Sequence, residues 1–116
     1  MSITIYGIKQ CDTCCKALKW LDEEGLEYRW VDVRADGVEA DRLSRWISAL
    51  GAEKLVNRRS TTWRQLPSDQ RPALDSDDWL GLLQDQPTLI KRPIVEHAAE
   101  ITVGFTEAVR DRLSRA

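Results

Sequence analysis

The chain has 116 residues, 42% of them hydrophobic and 31% charged, with a formal net charge of -2 at pH 7. That length fits one compact domain, residues 1–116, able to bury a core without metal or disulfide staples. The charge balance gives no reason to expect bulk attraction to nucleic acid or an anionic membrane, and no apolar run approaches the roughly 18 to 20 residues of a spanning helix.

The start of the chain lacks the basic stretch, apolar centre and small-residue cleavage site of a secretory signal, so a cytoplasmic location is expected. Ile3-Thr4-Ile5-Tyr6 reads as a buried strand, punctuated by Gly7. A helix is expected from Asp12 or Thr13, both good N-cap types. Its apolar stripe is Cys14, Ala17, Leu18 and Leu21, and Gly25 ends it. Tyr28–Val33 alternates as a second strand. Strand, helix and strand in about 30 residues make a βαβ unit, whose strands run parallel with a right-handed crossover.

The middle reads as a helical insertion, about 36–86. Leu43, Trp46, Ile47 and Leu50 hold a helical period that Gly51 ends. Trp63 and Leu66 suit a short helical piece. Asp75-Ser76-Asp77-Asp78 places acids at the start of a helix carrying Trp79, Leu80, Leu82 and Leu83. Leu89-Ile90 leads into a β-hairpin, Lys91–Glu96 with Glu100–Phe105. A closing helix from Thr106 turns Ala108, Val109 and Leu113 inward. The sum is an α/β fold with a four-stranded mixed sheet flanked by helices, a thioredoxin-like topology.

Chemistry concentrates in three cysteines within five positions, Cys11, Cys14 and Cys15. A Cys11–Cys14 bond would close almost no loop and add little stability, so the cluster does not read as a disulfide framework. Cys-x-x-Cys at a strand-to-helix turn reads instead as a redox motif. The thiolate is the nucleophile, and the first turn of a helix favours it. Cys11 is therefore the expected nucleophile, with Lys9, Lys16 or a folded-in arginine raising its thiolate fraction. Cys14 either resolves a mixed disulfide on Cys11 or is a small hydrophobe in the core. Cys15 is expected to point away. No metal is expected, because Cys14 and Cys15 diverge on a helix and His97 is the only histidine. Arg58, Arg59 and Arg64 form one basic segment, Lys91 and Arg92 another. Arginine's planar fork suits carboxylate and similar oxyanions, the alternative being solvated surface charge.

Cys11-Asp12-Thr13-Cys14-Cys15-Lys16-Ala17, Arg59-Ser60-Thr61-Thr62-Trp63-Arg64 and Pro87-Thr88-Leu89-Ile90-Lys91-Arg92-Pro93-Ile94-Val95 resemble, in order, the ArsC/Spx family and its YffB-like branch. The resemblance implies a thioredoxin-like domain with Pro93 cis beside the cysteine turn. It implies Cys11 as the attacking residue, with Arg59 and Arg92 holding an anion. Thr13, Lys16, Lys91 and Pro93 are the further residues expected to line the substrate. The activity implied first is a glutathione-dependent thiol-disulfide oxidoreductase, with glutathione as co-substrate. The alternatives are an arsenate reductase coupled to glutathione and glutaredoxin, and a non-catalytic regulator that binds RNA polymerase and uses Cys11–Cys14 as a switch. Two departures bear on these. Thr102-Val103-Gly104-Phe105 lacks the further arginine of the arsenate reductases. Ala17 stands where the phosphatase-like reductases, with their Cys-x5-Arg loop, need arginine.

Overall fold

A computed structural model of the protein describes residues 3–9, 11–72, 78–97 and 100–114. The chain divides into two compact units, Met1–Asp36 with Arg92–Ala116, and Gly37–Lys91.

In the first unit, β1 (Ile3–Gly7), β2 (Tyr28–Asp32), β3 (Ile94–His97) and β4 (Glu100–Val103) form one sheet in the order β2-β1-β3-β4. β1 runs parallel to β2 and antiparallel to β3, and β3 runs antiparallel to β4. The parallel pair is joined through α1 (Asp12–Glu23), and β2 runs directly into the short α2 (Val33–Asp36). The register sets Ile5 between Trp30 on one side and Val95 on the other. Strand alternation then sends Ile3, Ile5 and Val95 to one face. There they pack with Ala17 and Leu21 of α1 and with Val109 and Leu113 of α6 (Glu107–Ser114). Each large aliphatic side chain buried in this way contributes about 1.5–3 kcal/mol. This is a thioredoxin-like sheet, as its sequence pattern predicts.

In the second unit, α3 (Ala40–Leu55) carries the buried Leu43 and Trp46, and α5 (Trp79–Asp85) carries the buried Trp79 and Leu83. Gly51 interrupts α3 with φ 77 and ψ 152, left-handed backbone that glycine adopts without strain. The chain resumes a helical turn beyond it, so Ala52 and Leu55 add to the buried set. In α4 (Thr61–Gln65), Ser60 is the N-cap, its Oγ accepting from Trp63 N–H at 3.1 Å. The Trp63 ring stacks on Trp79 with centroids 5.8 Å apart, and the Arg71 guanidinium lies 5.2 Å over Trp63.

Four expectations are corrected. The N-cap of α1 is Cys11, not Asp12 or Thr13, because the chain turns one residue earlier, with Cys11 N–H donating to the Ile8 carbonyl at 3.0 Å. The hairpin begins at Ile94 rather than Lys91. Residues Pro87–Leu89 form a 3-10 turn, Lys91 N–H is taken by the Leu55 carbonyl, and Pro93 has no N–H for a ladder. Val33 belongs to α2 and not to β2. Ala108 is exposed, since the inward face of α6 is formed by Val109 and Leu113, one turn apart. The acidic run at 75–77 lies outside the described residues.

Candidate active site

The β1–α1 turn decides where the sulfurs go. Cys11 occupies the N-cap in extended backbone, φ -89 and ψ 122, and is half-buried. Cys14 is then the third residue of the helix, the position whose backbone N–H an N-cap side chain reaches. The Cys11 side chain makes no capping bond of strict geometry, yet the Cys14 N–H, the Cys14 thiol and the Arg92 guanidinium all bear on its sulfur. Burial pushes the Cys11 thiol up. The two Cys14 donors, the Arg92 hydrogen bond and the Arg92 charge outweigh it, so the Cys11 pKa lies below that of an ordinary thiol.

Cys14 moves the other way. It is 1% exposed, and burial is the main reason its pKa is pushed up to about 12. The Ile8 backbone bond and the Arg92 charge oppose that rise, while the negative charge on Cys11 adds to it. Two thiols one helical turn apart are thus driven in opposite directions. Cys11 is poised to ionise and Cys14 to stay protonated and donate.

Cys15 is exposed, its thiol donating to the Lys9 carbonyl at 3.5 Å. Thr13 and Lys16 are exposed on the first turns of α1. Arg92 is half-buried, its peptide bond to the buried Pro93 is cis, and the Pro93 carbonyl accepts from Gly104 N–H at 2.8 Å. The structure therefore brings Cys11, Cys14 and Arg92 together. Arg59 and Lys91 belong to the second unit, where both are exposed. The Arg59 N–H donates to Asn57 Oδ1 at 3.1 Å, and Lys91 N–H to the Leu55 carbonyl at 2.7 Å. Among the described residues no group of three or more His, Cys, Asp or Glu side chains is placed to hold a metal ion. None of the described helices is long and apolar enough to cross a membrane.

Two contributors escape a reading of the sequence. Asp32, at the end of β2, accepts from Lys9 N–H at 3.2 Å, Arg34 N–H at 2.9 Å and Ala35 N–H at 3.0 Å. It thereby caps α2 and ties down the segment leading into Cys11. An N-cap residue type closing a strand was the available signal. Gly7, read as punctuation, has a backbone φ outside the left-handed region, so conformation does not require glycine there. Space does: a β-carbon at Gly7 would overlap the Cys14 sulfur and crowd the Trp30 ring.

The sequence profile of the ArsC family matches residues 6–112, nearly the whole chain. The chain belongs to the ArsC family. A relative from Haemophilus influenzae, described only as an uncharacterized protein, is 45% identical over 105 residues, covering 90% of this chain and 92% of its own. Among solved structures, one called YFFB (PA3664) superposes with a TM-score of 0.89 at 37% identity, covering 96% of this chain and 97% of that one. An arsenate reductase (ArsC) related protein from Brucella melitensis gives 0.77 at 40% identity, covering 97% and 93%. The ArsC relatives also include the global transcriptional regulator Spx of Staphylococcus saprophyticus, 27% identical over 107 residues, 90% of this chain and 81% of that protein. The fold and the family thus agree with the resemblance read from the cysteine and arginine segments.

Proposed function

We propose that this ArsC-family protein is a glutathione-dependent thiol-disulfide oxidoreductase in which Cys11 is the nucleophile. The observation that carries this reading is the opposed tuning of Cys11 and Cys14 beside Arg92. The substrate is a mixed disulfide R–S–S–G, where G–S is the glutathionyl group. The Cys11 thiolate attacks the glutathionyl sulfur, forming Cys11–S–S–G and releasing R–S⁻, which takes up a proton. A second glutathione, as thiolate, attacks that same sulfur. This restores the Cys11 thiolate and leaves glutathione disulfide, so the net change is R–S–S–G plus G–SH to R–SH plus G–S–S–G. The guanidinium of Arg92 stabilises the attacking sulfur and favours an anionic substrate. Cys14, protonated at neutral pH, serves as hydrogen-bond donor to Cys11 rather than as the resolving thiol. The family resemblance assigns Arg59 to the substrate anion, and Arg59→Ala tests that role by its own effect on kcat/KM.

The test is a purified assay of glutathione-dependent disulfide reduction, coupled to glutathione reductase and NADPH consumption. Turnover that Cys11→Ser abolishes supports the reading. Absence of turnover with glutathione overturns it. Arsenate as the oxidant in the same assay, with glutaredoxin added, separates the arsenate reductase alternative.

A second reading is favoured by the hydrogen-bonding of Cys11 with Cys14 together with the similarity to Spx. In it the protein is a regulator whose target is RNA polymerase. The two thiols lose two electrons and two protons to a peroxide and form the Cys11–Cys14 disulfide as a switch. Capture of RNA polymerase subunits that depends on the oxidation state of Cys11, without thiol turnover, supports this second reading.

A further inference from the structure

Beside the cysteine turn lies a groove of about 490 Å³, within the range of small-ligand sites. Its described lining is Ile8, Lys9, Asp32, Arg34 and Ala35. Ile8 is buried and Ala35 exposed, so the walls offer apolar contact at two depths. Lys9 and Arg34 are exposed cations on opposite elements, the β1–α1 turn and α2. The lining carries two positive side chains and one negative.

The negative one is already committed. The Asp32 carboxylate accepts three backbone N–H groups, from Lys9, Arg34 and Ala35. Those bonds, against the opposing effect of burial, hold its pKa below the ordinary carboxylate value, with the Arg34 charge adding to them. Asp32 therefore works as a buttress that joins the two walls. It has little acceptor capacity left for a ligand cation. The groove is also fixed to the nucleophile: Ile8 accepts the Cys11 N–H at 3.0 Å, and Lys9 accepts the Cys15 thiol.

We propose that this groove binds the carboxylate-bearing part of the small thiol that reacts at Cys11, with Lys9 and Arg34 as its cationic contacts. The inference rests on the glutathione-dependent reading above, and it assigns residues that neither the cysteine motif nor the arginine segments point to. A carboxylate fits because the site is net positive and shallow, and an arginine fork and a lysine ammonium both donate to it. A peptide-sized thiol fits because the groove is larger than a bare anion needs.

The test is a binding titration of the wild-type protein with S-methylglutathione, which cannot react, followed through the amide signals of Ile8, Lys9 and Ala35. Those signals should shift. Lys9→Gln with Arg34→Gln should weaken binding about fivefold or more, the scale of exposed ion pairs. Esterifying the ligand's carboxylates should weaken binding to wild type by a similar factor, but should cost no further affinity in the double variant. Shifts that leave these three amides untouched overturn the proposal, as do losses that simply multiply. The titration needs no catalysis. A groove that binds while the coupled assay shows no turnover sinks the proposed activity alone, and turnover without binding in the groove sinks the groove alone.

Discussion

Gly7 on β1 leaves the space that the Cys14 sulfur occupies, with the Trp30 ring closing the other side. The sulfur lies too close to where a β-carbon would stand for both to fit. Gly7→Ala should therefore push Cys14 out of its niche and destabilise the protein by about 1–3 kcal/mol, the usual cost of overpacking. Urea unfolding measures this. The variant Gly7→Ala with Cys14→Ala should recover much of the loss, because the second change removes the atom that the first one meets.

Cys14 holds its proton to about pH 12 while its unfolded counterpart titrates near 9.0. The sign follows from linkage. A group with a raised folded pKa contributes stability that is complete below the unfolded value and is lost as pH rises toward the folded one. Stability should fall between about pH 9 and pH 12 more steeply in wild type than in Cys14→Ser, whose side chain does not ionise there. Denaturant melts across that window check the difference, and parallel curves would remove the buried thiol as their cause.

Arg92 bears on the sulfur both as a hydrogen-bond donor and as a charge. In Arg92→Ala the midpoint of Cys11 alkylation against pH should move upward, and Arg92→Lys should move it less, keeping the charge but not the fork. If the proposed chemistry holds, turnover in Arg92→Ala should fall by about a hundredfold to a thousandfold, as when one fixed donor to a developing anion is removed. An unchanged alkylation midpoint would separate Arg92 from the nucleophile.

Asp32 ties Lys9, two residues before Cys11, to the start of α2. Its carboxylate has a lowered folded pKa, set by those backbone bonds against the opposing effect of burial. The stability it contributes is therefore present above the unfolded value of 3.8 and is lost as pH falls through the lower folded one. Asp32→Ala should cost about 1–2 kcal/mol at neutral pH, the scale of losing an N-cap. Asp32→Asn should recover part of this and flatten the acid limb, as followed by circular dichroism melts between pH 2 and pH 6.

The βαβ unit was legible because Ile3, Ile5, Ala17 and Leu21 repeat with clean strand and helix periods, and all four are buried. The place of Cys11 at the strand-to-helix turn is legible because the Cys-x-x-Cys spacing follows directly on the β1 pattern. The hairpin start is not legible because Leu89-Ile90-Lys91 has strand-like composition, and only the 3-10 turn and the Val56–Ile90 bridge show where its hydrogen bonds go. Ala108 is ambiguous in the sequence because alanine is apolar enough to suit either face of α6. The Lys9 contact of Asp32 and the Cys14 contact of Gly7 stay hidden in the sequence for a shared reason. Each acts on groups far away in sequence, Asp32 on Lys9 and Gly7 on Cys14, and no local pattern records such a contact.

One measurement bears most directly on the claim that this protein is built around a poised sulfur at its first helix. Wild-type protein is labelled with limiting iodoacetamide from pH 5 to pH 10, and each cysteine is quantified by mass spectrometry. Cys11 should label first, with a midpoint below the ordinary thiol value of 9.0, and Cys14 should stay unmodified until the protein unfolds. Labelling of Cys15 ahead of Cys11 near neutral pH would contradict the account.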